Sequence, residues 1–371
     1  MKVDKSKWKK CNLGEICTNG TSNITISKTE IGKGEYLLFG ASGIVGNIDF
    51  YHQDKEYIGI VKDGSGVGRV NKYPPKSSLV GTMQYIFPQD NINIDFLKYL
   101  LISLNLAKYV KGAAIPHIYF RHYKSEKILV PKIIEQESIA SELDALQEVI
   151  DGYREQIADL DDLAQSIFLT TFGDPVANSK GWEVKQLQDI VTDDCKLTYG
   201  IVQPGEEVPN GVPVVRSIDM SSPVIYLKNL KRVDPPIAQK YQRTKLEGDE
   251  IFISCRGVTG VISLASEELK GGNITRGLVS ARLKLGERLF VYYCLRMPQI
   301  NSIIQDKTKG ATLRQINVKD IRLLPIIFPP IDMQKAFAAQ MDSINLQNNL
   351  LRQQLADAEM LMAERMQYYF S

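Results

Sequence analysis

Three histidines, five cysteines and two tryptophans are all that 371 residues hold of these types. No apolar run approaches the ~20 residues needed to span a bilayer. Each shortage excludes something. His117 and His122 have no histidine at their repeat-equivalent positions and no nearby cysteine, so they are expected as structural or surface side chains rather than metal ligands. Cys11, Cys17, Cys195, Cys255 and Cys294 are odd in number, scattered, and never in Cys-x-x-Cys spacing, which argues for reduced thiols and against a disulfide framework or zinc site. The N-terminus is crowded with Lys2, Asp4, Lys5, Lys7, Lys9 and Lys10, leaving no apolar core for a signal peptide. The expectation is a soluble, cytoplasmic protein with no membrane partner.

Catalytic machinery is also missing. Asp63-Gly64-Ser65-Gly66-Val67-Gly68 follows an apolar run, but it is not the dinucleotide fingerprint, and no Gly-Lys-Ser/Thr comes after it. A hairpin turn is the expectation there. Asp234-Pro235-Pro236-Ile237 has the look of a base-flipping methyltransferase motif, which needs an aromatic where Ile237 stands to stack on the extruded base. A loop is expected instead. No catalytic, cofactor-binding or metal-ligating residue is assigned, and the chain is expected not to be an enzyme.

What the sequence does hold is a heptad seam, written twice. Leu143, Leu146, Ile150, Tyr153, Ile157, Leu160, Ala164 and Ile167 recur at alternating steps of three and four. Only one glycine, Gly152, and no proline interrupt Ile139 to Phe172, so one helix of roughly 50 Å is predicted at ~1.5 Å per residue. Adding 198 gives Phe337, Met341, Ile344, Asn348, Leu351, Leu355, Ala358, Met362 and Arg365, a second seam with two polar breaks. Apolar heptads bury against a partner helix, and a polar seam residue such as Asn348 can fix register. The same offset carries Lys111-Gly112-Ala113-Ala114 to Lys309-Gly310-Ala311-Thr312, Pro131 to Pro329 and Gln136 to Gln334. Each proline is placed to start its helix. At the other end Trp8 and Trp182 open similar Trp…Leu…Ile runs 174 apart, so the second globule carries about 24 more residues than the first. Frames held constant around interiors that differ fit two readers built on one plan.

Net charge is only +2, but it is segregated. Residues 1–130 hold 18 basic against 11 acidic side chains and residues 173–328 hold 22 against 17, whereas residues 131–172 hold 2 against 10. Basic globules suit a polyanion. Lys62, Ser65, Arg69, Lys72 and Lys76 cluster around the turn after a predicted strand, Tyr57 to Val61. In the second globule Arg216, Arg256, Thr259, Asn273, Thr275 and Arg276 sit on or beside turns, after a matching strand at Ile251 to Ser254. Such side chains supply phosphate contacts and base-edge hydrogen bonds, and all eleven are candidate DNA contacts. Phe96 to Leu106 and Phe290 to Leu295 are predicted short buried helices in corresponding places.

Phe39-Gly40-Ala41-Ser42-Gly43-Ile44-Val45-Gly46, Gly200-Ile201-Val202-Gln203-Pro204-Gly205, Gly211-Val212-Pro213-Val214-Val215-Arg216 and Ile253-Ser254-Cys255-Arg256-Gly257-Val258-Thr259-Gly260 come in this order. Gly272-Asn273-Ile274-Thr275-Arg276 and the two Pro-x-x-x-x-Gln helix starts complete the set. In these motifs and their duplication the chain resembles the specificity subunit of type I restriction–modification systems, over nearly its whole length. The resemblance implies an α+β chain in which two α/β target-recognition domains are separated by two long antiparallel coiled-coil-like helices, an internal pseudo-two-fold repeat. The domains would be residues 1–130 and 174–328, with the conserved long helices at 131–173 and 329–371. It implies double-stranded DNA with a split target, the helix pair serving as a ruler. The implied partners are two methylation subunits, using S-adenosylmethionine to methylate adenine at N6, and ATP- and Mg-dependent restriction subunits. This chain itself would hold no cofactor. Glu142, Asp144, Glu148, Asp151, Glu155, Asp159, Asp161 and Asp162 become candidates for docking the methylation subunits. The competing readings are a coiled-coil protein adaptor, which predicts no salt-dependent DNA affinity, and a stand-alone DNA methyltransferase, whose cofactor loop and stacking aromatic are missing.

Overall fold

The computed structural model describes residues 3–112, 116–195, 197–311 and 313–371. Ala113 and Ala114 of the first Lys-Gly-Ala-Ala motif, Thr312 of the second, and Lys2 therefore lie outside the described residues. The chain forms two compact units. One is Met1–Glu155 with Arg352–Ser371; the other is Gln156–Leu351. Each combines a globule with a segment of both long helices.

The two globules share one plan. In the first, Cys17–Thr21, Met83–Pro88, Tyr57–Val61 and Val70–Tyr73 form an antiparallel sheet in that order. A second sheet sets Tyr36–Gly40 antiparallel to Gly43–Ile48 and parallel to Ser77–Leu79. In the second globule the larger sheet runs Val224–Ile225, Ile262–Ala265, Ile251–Ser254, Leu278–Ala281. The smaller sets Val212–Val215 antiparallel to Lys231–Val233 and parallel to Asn273–Ile274. Each globule closes where its first strand meets its last: Lys9–Asn12 pairs with Lys127–Val130, and Glu183–Gln186 with Pro325–Phe328. That closure explains the matched Trp…Ile runs, since the strand after each tryptophan leads straight back to the chain that enters a long helix. Tyr57–Val61 and Ile251–Ser254 are buried at every residue. They read as continuous apolar runs because both faces of the sheet are covered.

Both long helices are 40 residues, Ile133–Phe172 and Ile331–Phe370, the bounds again 198 apart. The weaker second seam does not shorten its helix. The prolines lie two residues ahead of the helices rather than in their first turns, and the repeated glutamines explain the motif. Buried Gln136 accepts from the Asn93 amide at 2.9 Å and donates to the Pro131 carbonyl at 2.9 Å. Buried Gln334 repeats this, accepting from Glu287 N at 2.9 Å and donating to Pro329 O at 2.8 Å. Asn93 and Glu287 are the N-caps of the short helices Ile94–Ser103 and Arg288–Arg296, their side chains receiving the Phe96 and Phe290 amides. One buried amide thus ties each long helix to the start of a short one.

Packing follows the seam. Leu143, Ile150, Ile157, Ala164, Met341 and Ile344 are buried; Leu146, Tyr153, Leu160, Leu351, Leu355 and Met362 are half-buried. In the first unit Glu142 pairs with Arg365 and Arg154 with Glu359, so residue numbers fall along one helix as they rise along the other: the segments are antiparallel. Arg365 is therefore an ion-pair residue at the seam's edge, while Asn348 is buried within it. In the second unit Phe168, Phe172, Phe290 and Phe337 form an aromatic cluster, with Phe172 and Phe290 centroids 4.9 Å apart. The first unit has its counterpart in Phe96 against Phe370 at 5.5 Å. Asp234-Pro235-Pro236-Ile237 does not form the expected loop: Pro235–Gln239 is a short helix. First-turn prolines lose no helical hydrogen bond, so the composition that suggested a loop serves equally well as a helix start.

Half of the acidic residues considered for docking partners are engaged within the chain. Asp144 accepts from Lys98 at 2.8 Å and from Tyr99 at 2.7 Å, Glu142 holds Arg365 and Tyr369, Asp161 holds Arg296, and Asp151 holds Arg154. Glu148, Glu155, Asp159 and Asp162 are exposed. No helix is long and apolar enough to cross a membrane among the described residues.

Candidate nucleic-acid interface

In each globule the turn that leaves the central buried strand is locked to the loop ahead of the closing strand. The two locks use the same atoms. In the first globule Ile118 N donates to Lys62 O (2.8 Å) and Gly64 N to Pro116 O (3.0 Å), while Lys111 and His117 exchange both backbone bonds at 2.9 Å. In the second, Ile316 N donates to Cys255 O (3.0 Å) and Gly257 N to Arg314 O (2.9 Å), while Lys309 and Gln315 exchange theirs at 2.8 Å. Asp63 thereby stands opposite His117, and Arg256 opposite Gln315. The turn glycines Gly64 and Gly257 have φ of +93° and +76°, a left-handed backbone that a side chain would strain.

The side chains at the two junctions differ. Around the first are exposed Lys111 and Arg121, whose guanidinium lies 4.7 Å from the centre of the exposed Tyr119 ring. His117 and His122 flank that ring at 5.2 and 5.5 Å. The His122 imidazole is held below its ordinary pKa by partial desolvation and by the positive charges of Lys111 and Arg121, with His117 adding to them. Around the second, Arg256 donates through Nε and Nη2 to Gln315 Oε1 at 3.1 and 2.9 Å. Arg314 Nη2 donates to Gln305 Oε1 at 2.8 Å, and Gln305 is anchored through Nε2 to Thr259 O and Asn301 Oδ1, both at 3.0 Å. Arg276, which is exposed, adjoins them, because Cys255 N bonds to Gly277 O and the Cys255 thiol donates to Arg276 O. Burial pushes that thiol up to about 12, so it stays protonated and structural.

The structure divides the candidate contacts. Lys62, Ser65, Arg256 and Arg276 belong to the junctions. Arg69 is exposed beside the first turn, its Nη1 donating to Ala41 O at 2.8 Å, and Lys76 is exposed at a positive-φ turn position. Thr275 is half-buried on the backbone of Val215. Four others have partners within the chain. Asn273 is 2% exposed; it accepts from Thr244 Oγ1 and donates to Tyr241 O, so it braces the small sheet from inside. Thr259 is also buried, its hydroxyl 3.0 Å from that of Thr308. Lys72 is bound to Asp95 at 2.8 Å against the short helix; burial is the largest single influence and opposes its charge, but the Asp95 hydrogen bond together with the negative charges of Asp95, Glu56 and Asp144 outweighs it and raises its pKa. Arg216 is forked onto Asp219 at 2.8 and 3.0 Å, which raises its pKa. Polar types on turns suit backbone bracing as well as DNA, and sequence alone does not separate the two. Gln315, Arg314, Tyr119 and His117 also stand at the junctions and were not among the candidates. The signal was present, since 117 and 315 are repeat equivalents beside the duplicated Lys-Gly-Ala motif.

Two globules of one plan, each on a segment of a long helix pair and each offering a basic turn–loop junction, define a duplicated recognition protein. Residues 5–160 and 179–360 match the type I restriction modification DNA specificity domain, and the chain belongs to that family. It is 21% identical over 274 residues to the type I restriction enzyme EcoBI specificity subunit of Escherichia coli, covering 67% of this chain and 57% of that protein. It is 25% identical over 278 residues to the MjaIX specificity subunit of Methanocaldococcus jannaschii, covering 68% and 62%. These matches span less than two thirds of either relative. The fold matches the crystal structure of a type I restriction–modification system S subunit from M. genitalium, with a TM-score of 0.62, 15% identity, and coverage of 100% of this chain and 98% of that one.

Proposed function

We propose that this chain is the non-catalytic DNA-reading subunit of a type I restriction–modification assembly, acting in the cytoplasm on a split double-stranded target. Each globule, residues 1–130 and 174–328, reads one half-site, and the helices of 131–173 and 329–371 set the spacing between them. The reading is supported above all by the duplicated junction, an identical backbone lock that presents different polar side chains in the two globules. A constant frame with variable donors and acceptors is what two distinct base sequences require, since base edges are told apart by their donor–acceptor patterns. Adenine-N6 methylation would come from two partner subunits that bind S-adenosylmethionine, and cleavage from ATP- and Mg-dependent restriction subunits; this chain would contribute no cofactor. The exposed Glu148, Glu155, Asp159 and Asp162 are offered for docking the methylation subunits.

The test is to express the chain with its cognate methylation subunit in a host lacking adenine methylation and to map modified adenines genome-wide. A split motif, methylated in both halves and lost when this chain is omitted, is the expected result. Methylation unchanged without it, or none despite a stable complex, would leave a protein adaptor as the better account.

A further inference from the structure

We infer that Gln315 is a positioning residue that aims the Arg256 guanidinium at a guanine in the half-site read by the second globule; this rests on the DNA-reading function proposed above. The lock fixes both backbones, because Gly257 N→Arg314 O and Ile316 N→Cys255 O hold Arg256 and Gln315 directly opposite each other. At that spacing, side chains of opposed residues meet. A guanidinium carries only donors, so the glutamine must turn its carbonyl toward it. Gln315 Oε1 accepts from Nε and Nη2, at 3.1 and 2.9 Å, and so takes one whole edge of the guanidinium. Two bonds to one acceptor fix the plane of the group as well as its place. What remains is the end-on edge, Nη1 with the second Nη2 hydrogen. That is a parallel pair of donors with the geometry that recognises O6 and N7 of guanine.

Arg314, next in sequence to Gln315, is held by Gln305 through one bond from Nη2, and Gln305 is itself tied to the turn through Thr259 O. Two arginines, each oriented by a glutamine, therefore stand on either side of one bridge. The first globule keeps the bridge and exchanges the chemistry: Asp63 and His117 occupy the places of Arg256 and Gln315. Among the described residues no arginine fork stands at that bridge, so a guanine requirement of this origin belongs to one half-site only.

The test uses the methylome system with the wild-type chain and the variants Arg256→Ala, Gln315→Ala and Gln315→Glu. Gln315→Glu keeps an acceptor facing the guanidinium. In the wild type, one position of one half-site is guanine. Arg256→Ala should abolish that preference. Gln315→Ala should relax it by about tenfold, within the range of one bidentate base contact, and Gln315→Glu should restore it, with the other half-site unchanged in every variant. If Gln315→Ala keeps the full guanine preference that Arg256→Ala loses, or lowers methylation at all sites without shifting any base preference, the positioning role is wrong and the DNA-reading function stands. If Arg256→Ala changes no base preference, the assignment of the fork to guanine is wrong. If the wild type yields no motif, the function itself fails, and this inference with it.

Discussion

Gln334→Leu isolates the bond that ties the C-terminal long helix to the second globule. Gln334 is fully buried and makes two hydrogen bonds of ordinary length, one to Glu287 N and one to Pro329 O. Leucine fills much of the same space, so little cavity is made, but a donor and an acceptor are left buried and unpartnered. Each such group costs ~1–3 kcal/mol, which puts the loss at about 2–6 kcal/mol. The damage is local in origin: Glu287 caps the helix Arg288–Arg296, whose Phe290, Val291, Tyr292, Tyr293, Cys294 and Leu295 are all buried. Because a chain of two units need not unfold in one step, the readout should be hydrogen exchange of the Arg288–Arg296 amides as well as a urea midpoint. Both should report the same loss. A stability change under about 0.5 kcal/mol, or unaltered exchange in that helix, would refute the reasoning, since it would mean the orphaned groups find partners at no cost. Gln334→Glu sharpens the test. Its carboxylate keeps the acceptor for Glu287 N but faces the Pro329 carbonyl with no proton to give, so the variant should recover as pH falls and the carboxyl protonates.

Phe168→Ala, which removes a fully buried ring touching Phe172, Phe290 and Phe337, should cost about 3–5 kcal/mol of second-unit stability; a loss under about 1 kcal/mol by denaturant unfolding would contradict the packing. Arg154→Ala breaks the 2.7 Å pair with Glu359, but both side chains are about half exposed (53% and 47%), so the expected change is about 0.5 kcal/mol or less, and a shift above about 1.5 kcal/mol would show that exposure misjudges the pair. Glu250 is buried, and burial raises its pKa above 4.5 even though its oxygens accept the Glu247 and Gly248 amides. A raised carboxyl takes up a proton on folding, so its contribution is present below pH 4.5 and is lost as pH climbs through the folded value. An amide in its place cannot titrate; the Glu250→Gln variant should therefore show a flatter stability-against-pH curve from pH 4.5 toward neutrality, and an unchanged slope in thermal melts would rule this source out.

The frame was legible in the sequence because period and repetition are geometric. A heptad seam can be satisfied only by a helix with a partner, and the second copy at +198 supplied both the partner and the bounds. Gln136 and Gln334 were legible as repeated positions but not as clamps, because nothing local shows that a glutamine near a helix start faces a short helix rather than water. The turn polar residues failed for a related reason. Asn273 and Thr259 have the right chemistry for DNA, yet both are buried, where a polar side chain must find its partner within the chain: Thr244 and Tyr241 O for Asn273, the Thr308 hydroxyl for Thr259. Lys72, Arg216 and half of the acidic helix residues were likewise claimed by partners remote in sequence or by a neighbour one turn on, pairings that composition does not encode. Lys62, Ser65, Arg256 and Arg276 share one property: they sit where two backbone segments already satisfy each other.

That property bears on how such a reader changes its target. At both junctions backbone hydrogen bonds join the turn to the loop, and in the second the Arg256–Gln315 side-chain pair adds to them. Replacing a side chain there removes no bond the fold depends on, so partly exposed positions of this kind tolerate substitution at little cost in stability. Asp63 with His117 and Arg256 with Gln315 are two residue pairs on one frame, a carboxylate and an imidazole in one and a donor fork steadied by an amide in the other. Positions such as Asn273 are different, for there the side chain itself completes the sheet's hydrogen bonding and exchange would leave buried groups unpartnered. On the proposed function, variation in what is read would be free at the junction and costly one strand deeper, so that the frame could be kept while the two readers diverge.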